Sequence, residues 1–98
     1  MSCELYTLQF DPRALKEWRG LDRTIQIQFK KVLARRLEAP RVEAARLSGT
    51  LGDCYKIKLR ASGYRLVYRV IDSQVVVLVL AIGERNQSRA YEQAGKRL

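Results

Sequence analysis

Tyr6, Leu8 and Phe10 alternate with Thr7 and Gln9, the period of a short edge strand. Asp11 followed by Pro12 reads as a helix start, an N-cap with proline at the first helical position. Ala14, Leu15, Trp18 and Leu21 supply an apolar stripe, and Gly20 marks its stop. Asp22 opens a second helix in which Ile25, Phe29, Val32, Leu33 and Leu37 keep helical spacing until Pro40 ends it. After a looser connection, "RVEAARLSGTLGD", three strand-like runs follow at roughly 54–60, 64–71 and 74–82. A last helix, capped at Ser88, runs into the basic end "GKRL". The order β-α-α-β-β-β-α predicts an α+β domain, a mainly antiparallel sheet with the helices packed on one face. Within it, Val75 to Ile82 reads as a central strand buried on both sides.

The stretch "CYKIKLRASGYRLVYRV", Cys54 to Val70, is unusual in its charge. Lys56, Lys58 and Arg60 are followed across Ala61-Ser62-Gly63 by Arg65 and Arg69, and no Asp or Glu occurs from Cys54 to Ile71. Like charges opposed across a sheet cost stability, so their concentration needs a reason. Register decides which of them meet. Pairing Arg60 with Gly63 sets Lys58 against Arg65 and Lys56 against Val67. It also collects Tyr55, Ile57 and Leu59 opposite Tyr68, Leu66 and Tyr64. A loop longer by one residue would mix both faces, so the buried pattern selects the first pairing. Carried through the Asp72-Ser73 turn with Ile71 opposite Gln74, the same scheme places Arg65 opposite Leu80. Gly83-Glu84-Arg85 then emerges beside Lys58 and Arg65. Lys56, Lys58, Arg65 and Arg85 converge on an area the size of a phosphodiester, neighbours lying about 5 Å apart across strands and about 7 Å along one. A merely solvated face mixes signs; a one-signed cluster drawn from three segments reads as an anion site.

Composition sharpens that reading. Ninety-eight residues make one domain, 1–98, and 47% hydrophobic with 30% charged residues is an ordinary globular mixture. The balance of 19 Lys+Arg against 10 Asp+Glu, a net +9, is not ordinary, and it favours a polyanionic partner such as nucleic acid. Cys3 and Cys54 make neither a disulfide framework nor a metal motif. With no histidine, zinc sites and histidine acid–base catalysis are excluded, and no metal or other cofactor is expected. The start "MSCELYTLQF" lacks the plan of a signal peptide, and the longest apolar run is too short to span a bilayer. The expectation is a cytoplasmic protein without membrane contact. The chain contains no repeat or low-complexity segment.

Three segments then match a known family. "RALKEWR" at 13–19, "CYKIKLRASGYRLVYRVID" at 54–72, and Arg85 with Tyr91 six residues on resemble the RelE toxins of bacterial toxin–antitoxin pairs, from Leu5 onward. The resemblance implies a small microbial-ribonuclease-like fold and cleavage of mRNA in the A site of the 30S ribosomal subunit. It places catalytic roles on Lys56, Lys58, Arg65, Arg85 and Tyr91. It further implies an acidic, RelB-like antitoxin, partly disordered when free, that folds onto the toxin and displaces or repositions the helix from Ser88 to Leu98. Family members carry basic residues where Ser48 and Gln87 stand here; Arg46 partly compensates. Lys30, Lys31 and Arg35 on the second helix, with Arg46, Lys96 and Arg97, are candidate contacts to RNA. No DNA contact by the chain itself is expected.

RNA brings its own nucleophile, the 2′-oxygen. The enzyme must take its proton, stabilise the phosphorane and help the 5′-oxygen leave. A lysine crowded by cations gives up a proton more readily than a solitary one, so Lys56 or Lys58 is the candidate base. Arg65 matches two phosphate oxygens, and the resemblance assigns Arg85 to the leaving oxygen and Tyr91 to orienting a base. Two other readings compete. A gyrase-poisoning toxin of the ParE branch shares the fold, although that branch lacks the Lys-x-Lys pattern with matching Arg65 and Arg85. A non-catalytic RNA-binding module usually exposes aromatics on its sheet, whereas Tyr55, Tyr64 and Tyr68 fall on the apolar face.

Overall fold

Asp11 turns the chain from strand into helix: its side chain accepts a hydrogen bond from the Arg13 backbone N–H at 2.9 Å, and Pro12 fills the first helical position. The computed structural model of the chain describes residues 5–47, 53–84 and 94–97. Within them the chain forms β1 (Thr7–Phe10), α1 (Pro12–Arg19), α2 (Arg23–Glu38), β2 (Cys54–Lys58), β3 (Arg65–Ile71) and β4 (Val76–Gly83). Single 3₁₀ turns occupy Glu43–Ala45 and Asp72–Gln74, and residues 94–97 are helical. Gly20 ends α1, as its position suggests. Asp22 stands at the N-cap of α2 without a side-chain capping bond. The helix pair is braced instead by Gln26 Nε2, which donates to the Trp18 carbonyl at 2.8 Å.

The sheet order is β1-β4-β3-β2. β1 is an edge strand, parallel to β4, and the other two pairings are antiparallel. α1 and α2 cover one face, where Ala14, Phe29 and Leu33 pack on Tyr55, Ile57, Leu66, Tyr68, Val77 and Val79. Trp18 joins the layers, its ring 5.5 Å from that of Phe10 and 6.3 Å from that of Phe29. The other face carries a smaller cluster of Cys54, Val67, Leu80 and Ala81 under Ala94, which belongs to the C-terminal turn. Helical cover therefore reaches both faces, the two long helices sharing one of them. β4 is buried on both sides, as its unbroken apolar run requires.

Register follows the expected scheme between β2 and β3, where Lys58 pairs with Arg65, Lys56 with Val67 and Tyr55 with Tyr68. Between β3 and β4 it does not. Ile71 faces Val76 rather than Gln74, and Arg65 faces Gly83 rather than Leu80. Two local features account for the slip. The connection is a 3₁₀ turn followed by Val75 at φ 55, a left-handed conformation costly for a β-branched residue. A β-bulge then adds one residue: Tyr68 faces Val79 while Val67 faces Ala81, leaving Leu80 extra.

The costly turn is held from outside. Tyr6 Oη donates to Asp72 Oδ1 at 2.6 Å, and Arg41 donates to Asp72 Oδ2 at 2.6 Å and to Asp53 Oδ1 at 3.0 Å. Asp53 is itself left-handed, at φ 61. One arginine thus ties two unfavourable backbone positions together. The Tyr6 hydroxyl, and then Arg41, hold the Asp72 carboxyl below the usual carboxylate range. A carboxyl depressed in the folded state adds stability above its unfolded value, and that stability is lost as pH falls through the folded value. Thermal stability is therefore expected to drop on acidification below about pH 4. Tyr6→Phe should flatten that drop while lowering the midpoint at pH 7. An unchanged slope of midpoint against pH in Tyr6→Phe would contradict this role.

Candidate active site

Parity assigns Lys56, Lys58 and Arg65 to the face opposite α1 and α2, since Tyr55, Ile57, Leu66 and Tyr68 fill the helix face. Lys58 is the cross-strand partner of Arg65, and Arg65 of Gly83, so three strands end in one row. Lys58 is exposed, while Lys56 and Arg65 are half-buried. The next row inward is Lys56, Val67 and Ala81, and its apolar members are fully buried. The cations therefore border an apolar floor, where their field is screened less than over open water.

The bulge at Leu80 decides which residues reach this row. Without it, Arg65 would face Ile82, and even-numbered positions after it would share the cationic face. With it, Gly83 faces Arg65 and Glu84 falls on the other side, where its Oε1 accepts from Tyr64 Oη at 3.3 Å. The carboxylate nearest in sequence is thereby turned off the cationic face. Arg85 and Tyr91 lie outside the described residues, as do Ser48, Gln87 and Ser88. Among the described residues no group of three His, Cys, Asp or Glu stands close enough to hold a metal ion.

The remaining candidates are dispersed. Lys30, Lys31 and Arg35 are exposed on α2, so the sheet separates them from Lys58 and Arg65. Arg46 is exposed where residue 46 bridges Tyr55 at the β2 edge, and it lies 3.7 Å from Glu43. Lys96 is exposed. Arg97, expected among the RNA contacts, turns inward. Its side chain is 7% exposed and donates to Glu17 Oε1 at 2.9 Å and to the Leu80 carbonyl at 2.8 Å. Its charge is matched inside the protein, which removes the ground for a role in binding RNA.

Two structural partners of the site escaped the sequence reading. Arg36 points inward from α2 and donates to the Lys56 carbonyl at 3.2 Å and to Tyr68 Oη at 2.8 Å, while Tyr68 Oη donates to the Pro40 carbonyl. Glu17 accepts from the Ile82 backbone N–H at 3.1 Å. A signal for Glu17 was present: it falls between Ala14, Trp18 and Leu21, a lone acid on an apolar stripe. Cys54, at the start of β2, is fully buried, and burial pushes its thiol up to about 11. It stays protonated at neutral pH and is no nucleophile.

The family model for the ParE toxin of the type II toxin–antitoxin system parDE matches residues 8–89. Over 93 residues the chain is 58% identical to the mRNA interferase toxin RelE of Escherichia coli K12, covering 95% of this chain and 97% of that one. The chain belongs to the RelE toxin family. A structure of an E. coli RelE double arginine-to-alanine mutant in the free state superposes with a TM-score of 0.88 at 56% identity, covering 96% of this chain and 98% of its own. The RelE chain of the intact E. coli RelBE toxin–antitoxin complex gives 0.80 at 58% identity, covering 84% and 99%. In this chain β2 is anchored at Lys56 by Arg36 of α2. Arg36→Met keeps the aliphatic stem and removes the donors, so it should cost about 1–3 kcal/mol of unfolding free energy. Urea titration measures it, and a loss under about 0.3 kcal/mol would make the anchor unimportant.

Proposed function

We propose that this chain is a ribosome-dependent endoribonuclease, the single-domain toxin of a toxin–antitoxin pair, that cuts mRNA in the A site and so stops translation. The observation that carries the reading is the row Lys58–Arg65–Gly83 at the open end of the sheet, in a chain 58% identical to an mRNA interferase. Lys56 or Lys58 takes the 2′-hydroxyl proton, and the 2′-oxygen bonds to phosphorus. Arg65 binds the phosphorane oxygens. Arg85 stabilises charge on the 5′-oxygen as its bond to phosphorus breaks; an arginine holds its proton too firmly to serve as an acid and acts better there as a charge. Tyr91 orients a base by stacking. The set contains neither histidine nor a carboxylate in its row, so holding the mRNA in line supplies much of the rate, and the ribosome provides that hold.

An acidic RelB-like antitoxin is the natural restraint on a +9 chain, and E. coli RelE is found with RelB in such a complex. A cytoplasmic site of action fits these partners, and no helix among the described residues is long and apolar enough to cross a membrane. A second reading, gyrase poisoning, is favoured by the ParE description of the matching family model. Inhibition of gyrase supercoiling by the purified toxin, without mRNA cleavage, would establish it.

Alanine at Lys58 or Arg65 should lower single-turnover cleavage on programmed ribosomes by about 10²-fold or more. In the Lys58 variant stability should hold or rise, because a like-charge neighbour of Arg65 is removed. Wild-type rates in both variants would sink the assignment. The products carry a further signature. The upstream fragment should end in a 2′,3′-cyclic phosphate and the downstream one in a 5′-hydroxyl, and a 2′-deoxy nucleotide at the cut should abolish cleavage while leaving ribosome binding intact. A 5′-phosphate downstream would rule the mechanism out.

A further inference from the structure

β4 outruns its neighbour. β1 pairs with it only from Val76 to Val79, so the side of β4 that faced β1 lies open from Leu80 onward. Backbone polar groups on an open edge need partners. The Asp11 backbone N–H takes the Val79 carbonyl at 2.9 Å. The next two groups are taken by side chains: Arg97 Nη1 donates to the Leu80 carbonyl at 2.8 Å, and Glu17 Oε1 accepts from the Ile82 N–H at 3.1 Å. The two side chains join each other at 2.9 Å. One carboxylate and one guanidinium, from α1 and from the C-terminal turn, therefore finish the edge that β1 leaves incomplete.

The place they finish is the bulge. Leu80 is its extra residue, and Ile82 is the last position before Gly83 faces Arg65. The bulge also sets the parity that puts Gly83 on the cationic face and sends Glu84 to Tyr64. A bulged edge with unmet carbonyl and amide groups is free to relax by one residue, and one residue exchanges the faces. The bond geometry that prevents this is specific to acceptor and donor. An acceptor is needed at 17 and a donor at 97, whatever their charges.

We propose that Glu17 and Arg97 are positioning residues for RNA cleavage: by capping Leu80 and Ile82 they hold the bulged register that sets Gly83 against Arg65. The proposal rests on the reading of the site given above. It also assigns the inward-turned Arg97 a function unrelated to RNA contact, and it makes docking of the C-terminal turn a condition of an assembled site.

The test compares Glu17→Ala, Glu17→Gln, Arg97→Met and the exchange Glu17→Arg with Arg97→Glu, in the full chain. Single-turnover cleavage on mRNA-programmed ribosomes is measured with ribosome affinity and with amide exchange at Ile82. Glu17→Ala and Arg97→Met should lose about 10- to 100-fold in cleavage rate with affinity within about twofold, and Glu17→Ala should speed Ile82 exchange. Glu17→Gln retains an acceptor oxygen and should keep the rate within about threefold, though the ion pair is gone. The exchanged pair restores opposite charges but offers a donor to an N–H and an acceptor to a carbonyl, so it should stay as slow as Glu17→Ala. Recovery in the exchanged pair, or loss in Glu17→Gln equal to that in Glu17→Ala, would show that charge pairing matters and not the edge cap. Wild-type cleavage with accelerated Ile82 exchange would overturn the proposal. If Glu17→Ala does not fold, Glu17→Gln still decides between cap and charge. Arg65→Ala in parallel separates the two levels: if it too cleaves at the wild-type rate, the site reading itself is at fault.

Discussion

Burial of β4 on both faces is the constraint from which the other placements follow. Val76, Val77, Val79, Leu80 and Ile82 are all at or below 5% exposed. At about 1.5–3 kcal/mol for each such side chain, their transfer from water is worth on the order of 10 kcal/mol as an upper bound. A strand of this kind needs cover above and below. α1 and α2 provide the upper cover through Ala14, Phe29 and Leu33, and Ala94 of the C-terminal turn contributes the lower. The lower cover is small. Among the described residues it shields the middle of that face, and the row at Lys58, Arg65 and Gly83 lies beyond it, at the end where β3 begins and β4 finishes.

Three arginines bind within the protein, to backbone carbonyls and to side chains. Arg36 closes one outer edge of the sheet at Lys56, Arg97 closes the other at Leu80, and Arg41 binds the side chains that hold Asp53 and Val75 in left-handed conformations. A guanidinium suits all three positions, because it carries several donors in a fixed plane and stays charged. Net charge alone therefore overstates the cationic surface offered to a partner. Part of the +9 is spent on holding the sheet.

Much of the fold was legible from the chain because β2 and β3 are joined tightly and alternate cleanly. Tyr55, Ile57, Leu66 and Tyr68 must share a face, and that demand fixes Lys58 against Arg65 without any knowledge of the loop. The β3–β4 register was not legible for the opposite reason. β4 is apolar at nearly every position, so a slip of one residue exposes nothing and alternation has no power to choose. A 3₁₀ turn and a bulge filled that gap, and neither Val75 in a left-handed position nor Leu80 as an extra residue has a sequence signature. The basic tail misled in its own way. Lys96 and Arg97 are adjacent and alike in charge, yet one is exposed and the other lies on Glu17. Only the open edge of β4 distinguishes them.

The concentration of like charge between Cys54 and Ile71 now has a physical account. Two unit charges about 5 Å apart repel by roughly 1 to 3 kcal/mol at effective dielectric constants between those of water and a protein surface. Salt and side-chain motion reduce this further for exposed Lys58. The burial of β4 exceeds that repulsion several-fold, so the fold tolerates the row. Lys58 and Arg65 are cross-strand neighbours and stand in each other's field. On the proposed reading, a phosphate bound between them would add an attraction to each, and the extra negative charge of the phosphorane would strengthen both. An interaction that grows in this way toward the transition state meets the condition for raising the rate and not only the affinity.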